Sequence, residues 1–332
     1  MTRSILVLVP ALLLASCAPL SVTFTLGARD EPLRETAVID DEGANTKIAM
    51  IDVRGTILDS ARPGLFGNGL NPVDEFVARL KMAEEDPTVR AVVVRINSPG
   101  GSVTASDILY TELRRFADVT KKPVVASLGE VAASGGYYLA LAADEIVTQP
   151  TTITGSIGVI IPTINVSDGL RRIGIVARSV KSGANKDLAN PLEPIREEQY
   201  RVLQTMVDEF YLRFRTLVVE RRPALEPDRL DELTDGRVVT GTTAVASGLC
   251  DHEGDVRVAF ERAKDLAGIS TARLIRYHVQ GPRPRTQYSS VTAPETPSSA
   301  GTEINLVQFD LGEAGFSAGS ANAYYLWAPE LH

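Results

Sequence analysis

The stretch Ala91-Val-Val-Val-Arg-Ile96, running into Asn97-Ser-Pro-Gly-Gly101 and then into Thr104–Phe116, decides the fold. The apolar run reads as a strand, Pro99-Gly100-Gly101 turns the chain, and Thr104–Phe116 has helical spacing. The same alternation extends outward in both directions. Upstream, Lys47-Ile-Ala-Met-Ile-Asp-Val53 reads as a buried strand, and Val73–Glu85 carries apolar residues at 73, 76, 77 and 80, the period of a helix. Downstream come a strand at Pro123–Leu128, a helix at Ser134–Ala143 and a strand at Glu145–Thr148. Strands alternating with helices predict an α/β fold with parallel pairing. Glu197–Arg222 then reads as one long amphipathic helix, whose broad apolar stripe suits core or subunit packing better than a ligand groove.

The rest of the chain divides around this unit. Of 332 residues, 44% are hydrophobic and 23% charged, ordinary globular values. The net charge is −8 and no basic run is dense, which sets nucleic acid aside as a partner. Residues 1–16 have the layout of a signal peptide, with Arg3 in a short n-region and an apolar stretch from Ile5 to Leu14. That stretch is about ten residues long, too short for a bilayer that needs about 20. Leu14-Ala-Ser-Cys17 resembles the bacterial lipobox, in which the cysteine is lipidated; an ordinary secretory signal or an uncleaved anchor remains open. Residues 17–46 then read as the lipidated Cys17 and a tether, 47–280 as the main domain, and 281–332 as a Pro/Ser-rich linker with an apolar tail. The tail ends Ala323-Tyr-Tyr-Leu-Trp-Ala-Pro-Glu-Leu-His332. It docks on its own domain, on a neighbouring subunit, or, more sharply, in a substrate groove as a product-like peptide. Cys250 is expected to be a small buried residue, and the widely spaced His252, His278 and His332 predict no metal site and no cofactor.

Three glycine-rich turns carry the candidate chemistry. At Gly100-Gly101 the backbone N–H groups can approach a ligand with no Cβ in the way, although Pro-Gly-Gly also simply makes turns. At Ala132-Ala-Ser-Gly-Gly136 a serine stands at a strand-to-helix turn, where its Oγ can be exposed beside the Gly135 N–H; a helix N-cap is the plainer reading. The third is Thr154-Gly-Ser-Ile-Gly158, and further on lies Ser182-Gly-Ala-Asn-Lys-Asp187, where one lysine among many has no distinction of its own.

In this order, Ser98-Pro-Gly-Gly101, Ala133-Ser-Gly-Gly-Tyr-Tyr138, Thr154-Gly-Ser-Ile-Gly158 and Ser182-Gly-Ala-Asn-Lys-Asp187 resemble signal peptide peptidase A, the family S49 serine proteases. Gly236-Arg-Val-Val-Thr-Gly241, with Ala246–Leu249 and Asp251, resembles a fifth block. The resemblance covers about residues 47–280 and is to the family's short single-domain form. It implies Ser134 as nucleophile, Lys186 as general base, Ser156 orienting that lysine, and Gly101 and Gly135 as oxyanion donors. Tyr137 and Tyr138 fall where the helix packs and read as structural. The implied fold is ClpP/crotonase-like: repeated ββα units with a long helical arm. The implied assembly is a ring-like homo-oligomer, octameric if it matches the short form, in which a site can be completed between subunits.

Those residue types suit peptide hydrolysis. A serine hydroxyl is a weak nucleophile until a base removes its proton, and a lysine made neutral by burial can be that base. A Ser-Lys pair is a known variant of the triad and needs no histidine. The expected activity is therefore serine endopeptidase action on signal peptide remnants or other apolar peptides, by a lipoprotein at a membrane of the bacterial cell envelope. Two other readings stay in view: a catalytically silent scaffold, and an enzyme of the same superfamily acting on acyl-CoA thioesters.

Overall fold

The computed structural model describes residues 33–61, 63–64, 67–68, 71–278, 283–289 and 323–327. The expected signal segment and Cys17 lie outside these residues, as does most of 279–322. In chain order the first elements are Arg34–Asp40 (β1), Lys47–Arg54 (β2), Pro63–Gly64 (β3), Gly67–Asn68 (β4) and Pro72–Glu85 (α1). Then come Val89–Ser98 (β5), Gly100–Ser102 (β6), Val103–Thr120 (α2), Val124–Ala133 (β7) and Gly135–Ala140 (α3). Glu145–Thr148 (β8), Ile153–Gly155 (β9), Ser167–Arg172 (α4), Glu197–Arg221 (α5) and Pro227–Leu233 (α6) are next. Val238–Thr240 (β10), Gly241–Ala246 (α7), His252–Glu253 (β11), Val256–Ala267 (α8), Arg273–His278 (β12) and Tyr324–Leu326 (β13) complete the order.

The main sheet runs β1-β12-β2-β5-β7-β8-β11, with β9 joined to β7 and β10 to β9. Every pairing in it is parallel except β1 with β12 and β10 with β9. The alternation of side chains along a strand sorts the core into two layers. Val92, Val94 and Ile96 of β5 face the layer built with Phe76 and Leu80 of α1, Leu109, Leu113 and Phe116 of α2, and Tyr137 and Tyr138 of α3. Ala91 and Val93 face the opposite layer, closed by Val256, Ala259, Phe260 and Ala263 of α8. With helices on both faces, β5 has no solvent side, hence its near-continuous apolar run.

Helix starts are fixed locally. The Asn71 side chain accepts the Val73 N–H at 2.9 Å, Ser102 accepts Ala105 N–H at 3.3 Å, and Asp255 accepts Arg257 N–H at 2.8 Å. Residues 34–40, expected to be tether, instead form the sheet edge, paired antiparallel to β12 with Val38 and Ile39 packed against the α8 layer. Residues 283–289, expected to be linker, lie against the same region, where Arg276 Nη1 donates to the Thr286 carbonyl at 3.2 Å and Tyr288 Oη to Asp255 at 2.9 Å. Composition marks both segments as irregular, and long-range pairing overrides that signal.

Candidate active site

The Asn97–Gly101 turn is held by its own side chains. Asn97 Oδ1 accepts the Val131 N–H at 3.0 Å, tying the end of β5 to β7, and Ser98 Oγ accepts the Gly100 N–H at 3.0 Å. Gly100 has φ +101°, a conformation that favours glycine. A Cβ on Gly101 would lie 1.9 Å from the Ile57 carbonyl oxygen, and one on Gly100 would lie 2.7 Å from the Gly135 amide nitrogen. The two glycine turns therefore touch, and only residues without a Cβ let them do so.

Ser134 joins β7 to α3 at φ 52° and ψ −114°. Its N–H donates to the Gly155 carbonyl at 2.8 Å, and its own carbonyl accepts from Tyr138. Its side chain makes no capping hydrogen bond, so the plainer N-cap reading does not hold. The residue is 1% exposed and its Oγ is buried without a hydrogen-bond partner. Gly135 sits directly against Gly101, whose amide nitrogen is 3.1 Å from where a Gly135 Cβ would stand.

Ser156 comes directly after the β9 residue that pairs with Ala133, so the ladder brings its turn beside Ser134. It too has positive φ, 49°, is buried, and donates its N–H to the Arg237 carbonyl at 2.7 Å. Lys186 occupies an exposed turn, and no hydrogen bond joins it to the Ser134 hydroxyl. The next residue, Asp187, is the fixed point of that turn. Ion pairing with Lys181, Gln199 Nε2 at 2.9 Å and Arg196 Nη2 at 2.6 Å hold its carboxyl down at about 2.

Behind the serine, Tyr137 Oη donates to the Leu249 carbonyl at 2.8 Å and Tyr138 Oη to Asp107 at 2.6 Å. Burial, reinforced by Asp107, pushes the Tyr138 phenol up, so it stays a neutral donor. Arg213 of α5 pairs with Asp107 at 2.6 Å and closes that network. Cys250 is buried, as expected, and burial pushes its thiol up to about 12. Sequence reasoning misses the roles of Asn97, Ser98 and Asp107. A polar residue ahead of Pro-Gly is the signal for the first two, and Asp107 has none in isolation.

Part of this parallel-dominated α/β sheet, residues 70–154, matches the Clp protease family model. More narrowly, the chain belongs to peptidase family S49, whose model matches residues 117–270, and it is a serine-type peptidase. It is 35% identical over 238 residues to an Enterococcus faecium protein described as a signal peptide peptidase SppA, covering 71% of this chain and 69% of that one. It is 37% identical over 231 residues to Protease 4 of Salmonella typhi, covering 69% of this chain but 36% of the relative. The chloroplastic serine protease SPPA of Arabidopsis thaliana is 31% identical over 250 residues, covering 75% of this chain and 36% of that protein. A solved membrane-bound stomatin-specific protease superimposes with TM-score 0.42 at 16% identity, covering 66% of this chain and 85% of the other.

Proposed function

We propose that the protein is an endopeptidase in which Ser134 is the nucleophile and Lys186, supplied by an adjacent subunit, is the general base. The observation that carries this reading is the Ser134 hydroxyl: buried, unpartnered and held on a strained strand-to-helix turn. A buried hydroxyl left unpaired costs about 1–3 kcal/mol, and such backbone strain clusters at functional sites. Both features make sense if a group from outside the chain completes the site. An exposed lysine that makes no hydrogen bond to its own chain's serine suits the donor role. Burial against a neighbour would favour the neutral amine that a general base must be.

Exposed apolar side chains support the same assembly. Ile173, Val176, Val180, Leu192 and Ile195, all exposed, precede or follow the Lys186 turn in sequence. Apolar surface of this extent is normally covered, and a ring-like homo-oligomer would cover it.

The reaction is acyl transfer in two halves. Lys186 takes the Ser134 proton as Oγ attacks the peptide carbonyl, and the Gly101 and Gly135 N–H groups hold the resulting oxyanion. Each such donor is worth about 2.7–4 kcal/mol in comparable sites. Lys186 then gives the proton to the departing amine, and water, deprotonated by the same lysine, releases the acyl group from Ser134. Ser156, buried beside Ser134, orients the incoming lysine. No helix of the described residues is long and apolar enough to cross a membrane. A lipidated Cys17 would hold the enzyme at a membrane of the cell envelope, where apolar peptides such as signal peptide remnants arise. The description of the Enterococcus relative agrees with that substrate class.

The test is turnover of a quenched fluorescent apolar peptide by the protein and by Ser134→Ala and Lys186→Ala. Each variant is expected to fall by a factor on the order of 10⁴ while remaining folded and assembled. Equal inactivity of all three, folded and assembled, would favour the silent-scaffold reading. Retained activity in Lys186→Ala would remove that lysine as base.

A further inference from the structure

Lys186 stands between two acceptors that side chains at the start of α5 grip. Two residues before it, the Ala184 carbonyl accepts from Arg196 Nη2 at 2.9 Å and from Gln199 Nε2 at 3.0 Å. Directly after it, the Asp187 carboxylate accepts from the same two side chains, at 2.6 and 2.9 Å, and from Lys181. Backbone bonds close the turn further: Lys186 N–H donates to Gly183 O at 3.2 Å and Asn190 N–H to Asp187 O at 3.1 Å. The segment 184–187 is thus fixed to α5 at both ends, while the lysine within it is exposed.

The two anchors are specialised for this. Gln199 is 7% exposed, and a buried amide must satisfy its donors inside the protein. Both of its bonds go to the Lys186 turn. The Asp187 side chain is 11% exposed and collects three donors. Ion pairs near a surface add little to stability, so what such a concentration fixes matters more than what it stabilises.

Charge makes the same point. A carboxylate beside a general base works against it, because a nearby opposite charge favours the ammonium form. Lys181 and Arg196 both contact the Asp187 carboxylate, and Glu193 lies 3.8 Å from Lys181. Those two cations balance the two carboxylates, which leaves room for the neutral amine that the reaction requires.

We propose that Asp187 is the positioning residue of Lys186: its carboxylate ties the lysine's turn to the start of α5, and Lys181 and Arg196 cancel the charge that would otherwise keep the amine protonated. This inference rests on the reading of Lys186 as base and adds the groups that hold and tune it.

The experiment measures kcat and KM against pH for the quenched apolar peptide, with assembly followed by sedimentation. Asp187→Ala, which frees the turn, should lose about 10²-fold in kcat with KM little changed, the loss expected when a reacting group is displaced by about 1 Å. Asp187→Asn keeps an acceptor for Gln199 and should recover most of that loss. With the carboxylate gone, its acid limb of kcat/KM should move to lower pH by roughly half a unit. Arg196→Gln keeps a donor for Ala184 but strips a cation from Asp187, so its limb should move to higher pH by a similar amount. A merely structural role would leave the limb in place, and these two milder variants keep the test open if Asp187→Ala does not fold. Wild-type kcat in folded Asp187→Ala, or an unmoved limb in both milder variants, would overturn the inference, as would losses that only track loss of assembly. Lys186→Ala distinguishes the two readings. If it is inactive while Asp187→Ala matches wild type, only the positioning role falls; if it stays active, both fall.

Discussion

At the scale of single residues, the molecule places its charges where burial makes them consequential. Arg222 binds Asp251 through two bonds, at 2.9 and 2.8 Å, and Asp251 also accepts the Ile146 N–H at 2.7 Å. Burial alone would raise the Asp251 carboxyl, but these three donors outweigh it and hold it below the usual range. A carboxyl depressed on folding stabilises the fold above its unfolded value, about 3.9, and that contribution fades as pH falls through the folded value. The urea midpoint should therefore drop steeply below about pH 4 in the native protein. Asp251→Asn should start lower at pH 7 and lose less on acidification. Parallel pH curves for the two proteins would show that this pair is not a source of the acid sensitivity.

Between elements, one carboxylate joins three adjacent strands. Asp52 of β2 pairs with Arg54 and Arg95, each at 3.4 Å, and with Arg276 of β12, which is fully buried. Removing one partner of a buried ion pair typically costs about 3–5 kcal/mol, because the other charge is stranded. Asp52→Ala should lose about that much in urea unfolding at pH 7, with an unchanged slope. A loss under about 1 kcal/mol would mean that water or residues 283–289 neutralise the arginines instead. The same hub shows what could and could not be read in advance. The apolar run Lys47–Val53 announces a buried strand, and β2 is one. Nothing local says that Asp52 collects arginines from 43 and 224 positions away. Likewise β1 has no strong period of its own and exists because β12 offers it an edge. The glycine turns are legible because a missing Cβ is a local property with a local purpose. The tail is legible only as an apolar cluster that must dock, since strand register depends on the partner edge.

At the scale of the whole molecule, the unpartnered Ser134 hydroxyl and the exposed Lys186 pose a question of assembly. If one chain supplies the buried hydroxyl and its neighbour the amine, neither the Ser134→Ala protein nor the Lys186→Ala protein is active alone. A mixed ring has sites where an intact serine meets an intact lysine. Random 1:1 assembly from dissociated subunits makes such sites about a quarter of the total, so activity should return to about a quarter of wild type. A pair formed within one chain gives no such recovery at any mixing ratio. The exposed apolar residues that precede the turn in sequence supply an independent handle. Val176→Glu with Val180→Glu, both at exposed positions, should split the assembly in sedimentation and abolish turnover while leaving the subunit folded. Loss of assembly with full activity would instead put the whole catalytic pair inside one chain. Lys186 would then have to reach Ser134 by movement of its own turn.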